Sequence, residues 1–201
     1  MRDRDIRTVL SAYLSDRYGH EVDAVLVQEF SLYEKARADL AVLNGAIHGY
    51  EIKSEHDTLE RLPSQLQAYE RVFDFLTVVS GPRYTAKLSN MLPAWAGLLQ
   101  ATSSPTGIDL VVIREERPNP NQQSLALAKL LWRREAVDVL ASLALDRGLR
   151  SKPLRPLWEA LSRLPASQLA PLVRETLKRR ADWRAVSLQM LRDAKSEPSP
   201  T

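Results

Sequence analysis

The sequence predicts an α/β protein: a helix, three strands, a helix and a strand, then smaller elements and a helical C-terminus. Three observations predict it. Ile6, Val9, Leu10, Tyr13 and Leu14 recur at the i, i+3, i+4, i+7, i+8 spacing of one buried helical stripe. Between residues 24 and 54, short apolar runs are broken by Asn44-Gly45, a turn dipeptide. Beyond residue 124, dense Leu/Ala/Val periodicity is punctuated by Pro153, Pro156 and Pro165, where new helices can begin.

The elements follow in order. A helix is expected over 3–18, capped by Asp3 or Asp5 and ended by Gly19. Strands follow at 24–32, 37–43 and 46–54. Asp57 to Glu60 has the form of a capping box, and a helix is expected over 63–74 with Pro63 in its first turn. Its core face is Leu66, Tyr69, Val72 and Phe73. The apolar run at 73–80 reads as a strand buried on both faces and closed by Gly81-Pro82. A short helix at 84–91, a short strand at 94–99, a loop at 101–107 and an edge strand at 108–115 complete this part. Residues 117–123 read as a linker, with two prolines and several amides. Helices are expected over 124–145, 154–163, 166–180 and 182–194, and 195–201 as a disordered tail.

The bulk properties narrow the class. At 201 residues the chain can bury one sizeable core, and its 44% apolar and 26% charged residues are ordinary for a globular protein. The absence of cysteine excludes disulfides, thiolate metal sites and cysteine nucleophiles. No apolar run approaches the length of a membrane span, and the N-terminus is charged from residue 2 without a signal core, so a cytoplasmic protein is expected. Net charge is +3 but uneven: residues 1–121 carry 13 Lys+Arg against 17 Asp+Glu, and 122–201 carry 15 against 8. The basic part can face an anionic polymer or simply be solvated surface.

The hairpin over 37–53 holds the chemistry. Asp39 lies on its first strand, Glu51 and Lys53 on its second. Side chains alternate along a strand, so Glu51 and Lys53 share a face. Two carboxylates meeting across a hairpin can hold Mg²⁺ or Mn²⁺, with the Ile52 carbonyl as a further oxygen ligand. Lys53 can then orient the attacking water and offset transition-state charge. Register decides whether they meet. A two-residue Asn44-Gly45 loop sets Asp39 opposite Tyr50 and separates the carboxylates; a three-residue loop, or a bulge at Gly49, sets Asp39 opposite Glu51. The bland alternative is a set of exposed polar positions on a half-buried strand.

In this region the chain resembles the PD-(D/E)XK nuclease superfamily, and more closely a family of uncharacterised bacterial and prophage-associated proteins within it. The resemblance is carried by Arg37-Ala38-Asp39, by Gly49 to Pro63 with Glu51 and Lys53 at its centre, and by Gln65 and Tyr69 as a QxxxY motif. Leu131, Trp132 and Glu135 match that family's C-terminal part. The resemblance implies a restriction-endonuclease-like αβββαβ core, placed over 1–116 with a mixed sheet; the periodicity beyond it predicts an all-helical C-terminal region over 124–194. The resemblance implies metal ligation by Asp39 and Glu51, a catalytic Lys53, and support from Gln65 and Tyr69. Ala38 replaces the proline of the superfamily motif. Glu21 and Glu29 are candidates for a first acidic residue, and Glu29 is preferred because an acid in an apolar strand needs a partner or a metal. Arg37 and Arg61 can contact phosphate or pair with Glu51, Glu55 or Glu60.

Other chemistries find no motif. His20, His48 and His56 lack zinc spacing and read as incidental surface residues. There is no Gly-rich phosphate loop and no nucleophile elbow. Trp95, Trp132, Trp158 and Trp183 read as core, with base stacking as the alternative for the last three. The expected activity is metal-dependent hydrolysis of DNA or RNA phosphodiesters, DNA being favoured. A homodimer is compatible with it. The alternatives are a non-catalytic nucleic-acid-binding module on the same fold, and an interaction protein whose helical C-terminus docks a partner.

Overall fold

The computed structural model describes residues 1–33, 36–105, 107–180 and 185–196, with backbone alone for 194–196. Helix α1 (Asp3–Tyr18) leads into the strands β1 (Val25–Ser31), β2 (Arg37–Leu43) and β3 (Ile47–Lys53). Helix α2 (Leu62–Tyr69), β4 (Phe75–Ser80), α3 (Pro82–Met91), β5 (Gly97–Ser104) and β6 (Gly107–Arg114) follow. The chain continues through α4 (Ser124–Ala128), α5 (Arg133–Ser142), α6 (Leu154–Leu161), α7 (Ala166–Lys178), β7 (Ala185–Ser187) and α8 (Leu188–Ser196).

The strands form one seven-stranded mixed sheet in the order β6-β5-β4-β3-β2-β1-β7. The central pairs β3–β4 and β4–β5 are parallel, which requires the crossover helices α2 and α3. All other pairs are antiparallel. β3 is buried along its whole length, as a central strand covered on both faces must be. On one face, Ile6, Leu10 and Leu14 of α1 pack on Leu26, Leu40, Val42, Tyr50 and Ile52. On the other, Ala41, Leu43, Ile47 and Val78 join α2 and the helices α4 to α7 in a single core. Each fully buried Leu, Phe or Tyr there contributes roughly 1.5–3 kcal/mol.

The turn resolves the register. Leu40 pairs with Tyr50, Val42 with His48 and Leu43 with Ile47, which leaves a three-residue loop, Asn44 to Ala46. The Asn44 side chain accepts the Ala46 N–H at 2.9 Å and closes it. Gly49 pairs regularly with Ala41, so there is no bulge there. Its glycine serves packing instead: a Cβ would lie 2.5 Å from the Phe73 ring.

Several expectations are corrected. The C-terminal region is not all helical, because β7 pairs with β1 and covers what would be an open sheet edge. The helix expected over 182–194 is therefore a short strand and α8, with 181–184 outside the described residues. The long helix expected over 124–145 breaks between α4 and α5, where Leu130 and Leu131 turn into the core. β5 runs on through Ser104, as Ala101 and Thr102 find partners in Leu110 and Asp109 of β6. Asp57 does not cap α2; its carboxylate accepts the Ser54 N–H and hydroxyl and closes a turn. Residues 117–123, read as a linker, are stitched to the sheet layer: Asn119 donates to the carbonyls of Glu70 and Phe73, and Gln122 to that of Val72. Of the tail read at 195–201, residues 195 and 196 belong to α8 and the rest lie outside the described residues.

Candidate metal centre

The β2–β3 ladder ends at Leu40–Tyr50; beyond it the Asp39 carboxylate takes the Ile52 N–H, which brings it close enough to Glu51 for the two charges to interact, while Glu51 and Lys53 share a face of β3. β2 and β3 thus bring together what the sequence separates by a turn. Glu51 and Lys53 are 3% and 7% exposed, so the reading of these positions as solvated strand surface fails. Lys53 Nζ donates to Glu51 Oε1 at 2.7 Å and to Gln65 Oε1 at 3.0 Å. Gln65 Nε2 donates to the same Glu51 oxygen at 2.8 Å. The Tyr69 hydroxyl lies 2.6 Å from Glu51 Oε2 and 2.8 Å from the Arg37 carbonyl, sharing its one hydrogen between them. Gln65 and Tyr69 reach Glu51 together because they stand one turn apart on α2.

Asp39 sits at the rim of this network. Its Oδ2 accepts the Ile52 N–H at 2.7 Å and its Oδ1 the Arg7 guanidinium at 2.8 Å. Burial raises its pKa and the facing Glu51 carboxylate raises it further. The Ile52 N–H and Arg7 pull it back, and it settles at about 6. Burial and the Glu51 charge also push the Tyr69 hydroxyl far up, so it stays a donor. Asp39 Oδ1 and Oδ2 and Glu51 Oε2 each keep acceptor capacity beyond these partners, since a carboxylate oxygen offers two lone pairs. A hard divalent cation suits such a donor set: oxygen ligands whose charges conflict until a cation joins them. Among the described residues, no cluster of three or more His, Cys, Asp and Glu side chains forms a cation cage. Further ligands would come from backbone, water or substrate.

Glu29 lies one strand further out, opposite Asp39 in the β1–β2 register, between the pairs Gln28–Leu40 and Phe30–Ala38. Its φ of 56° is a left-handed conformation that a non-glycine residue adopts only under constraint. Its carboxylate is held by Arg7 at 3.2 Å and by Arg37 at 2.7 Å. Arg37 therefore pairs with Glu29 rather than with Glu51, Glu55 or Glu60. Arg37 and Arg61 both line an open cleft of about 720 Å³ beside Gln65.

Sequence reasoning missed Arg7, which ties Asp3, Glu29 and Asp39 together from α1. Its place next to the apolar stripe carries no signal of that role. His48 was also misread. It is buried, stacked on Phe75 at 4.7 Å, and faces the Tyr18 hydroxyl and Glu116 on the opposite side of the sheet. His20 and His56 are exposed, as expected. Trp95 and Trp158 are core, Trp132 is half exposed, and Trp183 lies outside the described residues.

The sequence profile of a family described as Bacteriophage P4 protein cII matches residues 2–199. Protein cII of Enterobacteria phage P4 is 27% identical over 141 residues, which are 70% of this chain and 53% of that protein. The chain thus spans about half the length of this curated relative. Among solved structures, a protein of unknown function from Silicibacter pomeroyi aligns with 69% of this chain and 90% of its own, at 22% identity and a TM-score of 0.39.

Proposed function

The chain belongs to the bacteriophage P4 protein cII family, and we propose that it is a Mg²⁺- or Mn²⁺-dependent nuclease, with a restriction-endonuclease-like core of the PD-(D/E)XK kind, that hydrolyses phosphodiester bonds in DNA. One observation carries this reading. With the three-residue turn fixing the register, Asp39 takes the Ile52 N–H and interacts with Glu51, Lys53 is bonded to Glu51, and Gln65 links this group of two conflicting carboxylates and one ammonium to the cleft that it lines with Arg37 and Arg61.

Asp39 and Glu51 would hold the cation, and the Ile52 carbonyl would join them, because a residue's N–H and C=O leave an antiparallel strand on the same side. The bound cation would lower the pKa of a water and neutralise phosphoryl charge. Lys53 spends two N–H groups on Glu51 and Gln65, and its third remains to orient the attacking water. Gln65 and Tyr69 fix the Glu51 carboxylate as positioning residues. Arg37 and Arg61 would receive the phosphates that flank the scissile bond.

The test is cleavage of plasmid and of single-stranded DNA with Mg²⁺, with Mn²⁺ or with EDTA, beside Glu51→Gln and Lys53→Met. Each substitution should lower the rate about 10²–10⁴-fold, and EDTA should stop it. Cleavage that persists in EDTA or in both variants defeats the assignment. A second reading has its own support: each carboxylate already meets a cation of the protein, Arg7 at Asp39 and Lys53 at Glu51. A non-catalytic module built this way would bind DNA without metal and never turn over.

A further inference from the structure

A second cleft, of about 460 Å³, opens on the other side of the β1 end and shares Ser31 and Tyr33 with the arginine-lined cleft beside Gln65. Its walls hold Trp132, Trp158 and Lys129. Two large rings there remain open to solvent, Tyr33 at 59% and Trp132 at 51% exposure. Each carries a cation: the Arg180 guanidinium lies 4.2 Å over Trp132, and Lys129 Nζ lies 5.1 Å over Tyr33. Tyr33 also sets its edge against Trp158 at 4.7 Å. Trp132 stands at the start of α5, its backbone N–H donating to the Glu135 carboxylate, which in turn pairs with Arg180. Packing explains Trp158, whose indole donates to the Leu131 carbonyl, but not an indole left half in water.

The geometry points to a groove for single-stranded DNA that runs from Gln65, which lines the first cleft and hydrogen-bonds Glu51, past Arg37 and Arg61, to a stacking platform at Tyr33 and Trp132. The inference rests on the nuclease reading and narrows its substrate. Charge complementarity selects the occupant. Described side chains of the two clefts include five cations, of which Arg37 is paired with Glu29 and Arg180 with Glu135, and one carboxylate, Glu29 itself. A polyanion fits that balance, whereas an acidic, flat-stacked duplex hides the base faces that the rings would receive. Stacking on an exposed aromatic needs an unstacked base, and cation-backed aromatics are the usual receivers.

The experiment is equilibrium binding of fluorescein-labelled oligothymidylate, and of a duplex of the same length, to the full chain in EDTA. Without divalent cation no cleavage is read, so this outcome is independent of the nuclease assay. The single strand should bind at least about tenfold tighter than the duplex. Trp132→Ala should weaken single-strand binding about fivefold or more, Trp132→Phe should restore most of it, and Tyr33→Ala should weaken it in the same direction. In the wild type, the strand should quench tryptophan emission, and Trp132→Phe should remove most of that quench, which reads the contact without relying on the alanine variant. Equal affinity for duplex and single strand, a quench unchanged in Trp132→Phe, or no oligonucleotide binding at low salt would overturn the proposal. The last result would leave the platform to a protein partner.

Discussion

Strand β3 carries a buried acid-and-cation cluster on each face, and the two are built from similar parts. On one face Glu51 meets Lys53, Gln65 and Tyr69. On the other, Glu116 meets Arg17, His48 and Thr77, with Tyr18 and Tyr50 behind them. The difference lies in what each carboxylate faces. Burial alone would raise the pKa of Glu116, but His48, Thr77 and Arg17 outweigh it and hold the group below its usual range. Opposite Glu51 stands a second carboxylate, and burial together with the Glu51 charge drives Asp39 up to about 6. A polar network that satisfies itself rigidifies a fold. One that keeps a like-charge conflict near a cleft gains from an added cation, and is the one to suspect of chemistry.

The sharpest way to break this contrast is to remove one charge from each cluster. Glu51→Gln is expected to lose cleavage per folded molecule, while leaving the Lys53 ammonium without its buried partner. Glu116→Gln should leave cleavage per folded molecule unchanged and lower the unfolding free energy in urea by about 2–4 kcal/mol, because it leaves buried donors and the Arg17 charge mismatched. The opposite pattern would reverse the assignment of chemistry and structure to the two faces.

A smaller effect is expected from pH. In the metal-free protein Asp39 titrates near about 6 when folded, against an ordinary value of 3.8. The folded state therefore binds this proton more tightly than the unfolded one. Its stabilising contribution is fully present below the ordinary value and is lost as pH rises through about 6, on the order of 3 kcal/mol. Asp39→Asn should remove that slope, so that in EDTA the variant gains on the wild type from about pH 4 to about pH 6. Urea titrations across that window decide it; a wild type that gains on the variant with rising pH would contradict the like-charge conflict.

The smallest effect belongs to the cleft. Arg61→Ala should weaken DNA binding about equally for all sequences and reduce the slope of log affinity against log salt by about one. An unchanged slope would remove Arg61 from the phosphate path.

Most of the fold on the hairpin side was legible, and the reasons are local. The stripe from Ile6 to Leu14, the apolar runs of β1 to β4 and the core face of α2 follow helical or strand periodicity, which sequence displays directly. Asp39, Glu51 and Lys53 could be named because strand alternation constrains where such side chains point, whereas Gln65 and Tyr69 could be named only through the resemblance to the QxxxY motif. Arg7, His48 and Glu116 could not, because their partners lie on other elements. Nor could β7, whose three residues become a strand only because the edge of β1 is there to pair with.

By itself the sequence determined which residues lie on the hairpin and on α2, and it left the carboxylates with two possible arrangements. The tertiary structure chose between them. A turn of three residues, closed by the Asn44 side chain, set the register in which the Asp39 carboxylate takes the Ile52 N–H next to Glu51, and Phe73 took the space that made Gly49 necessary. Strand register has a period of two, so one residue in a loop decides whether two acids meet or part. That choice is made by packing across the whole sheet, which no local pattern contains.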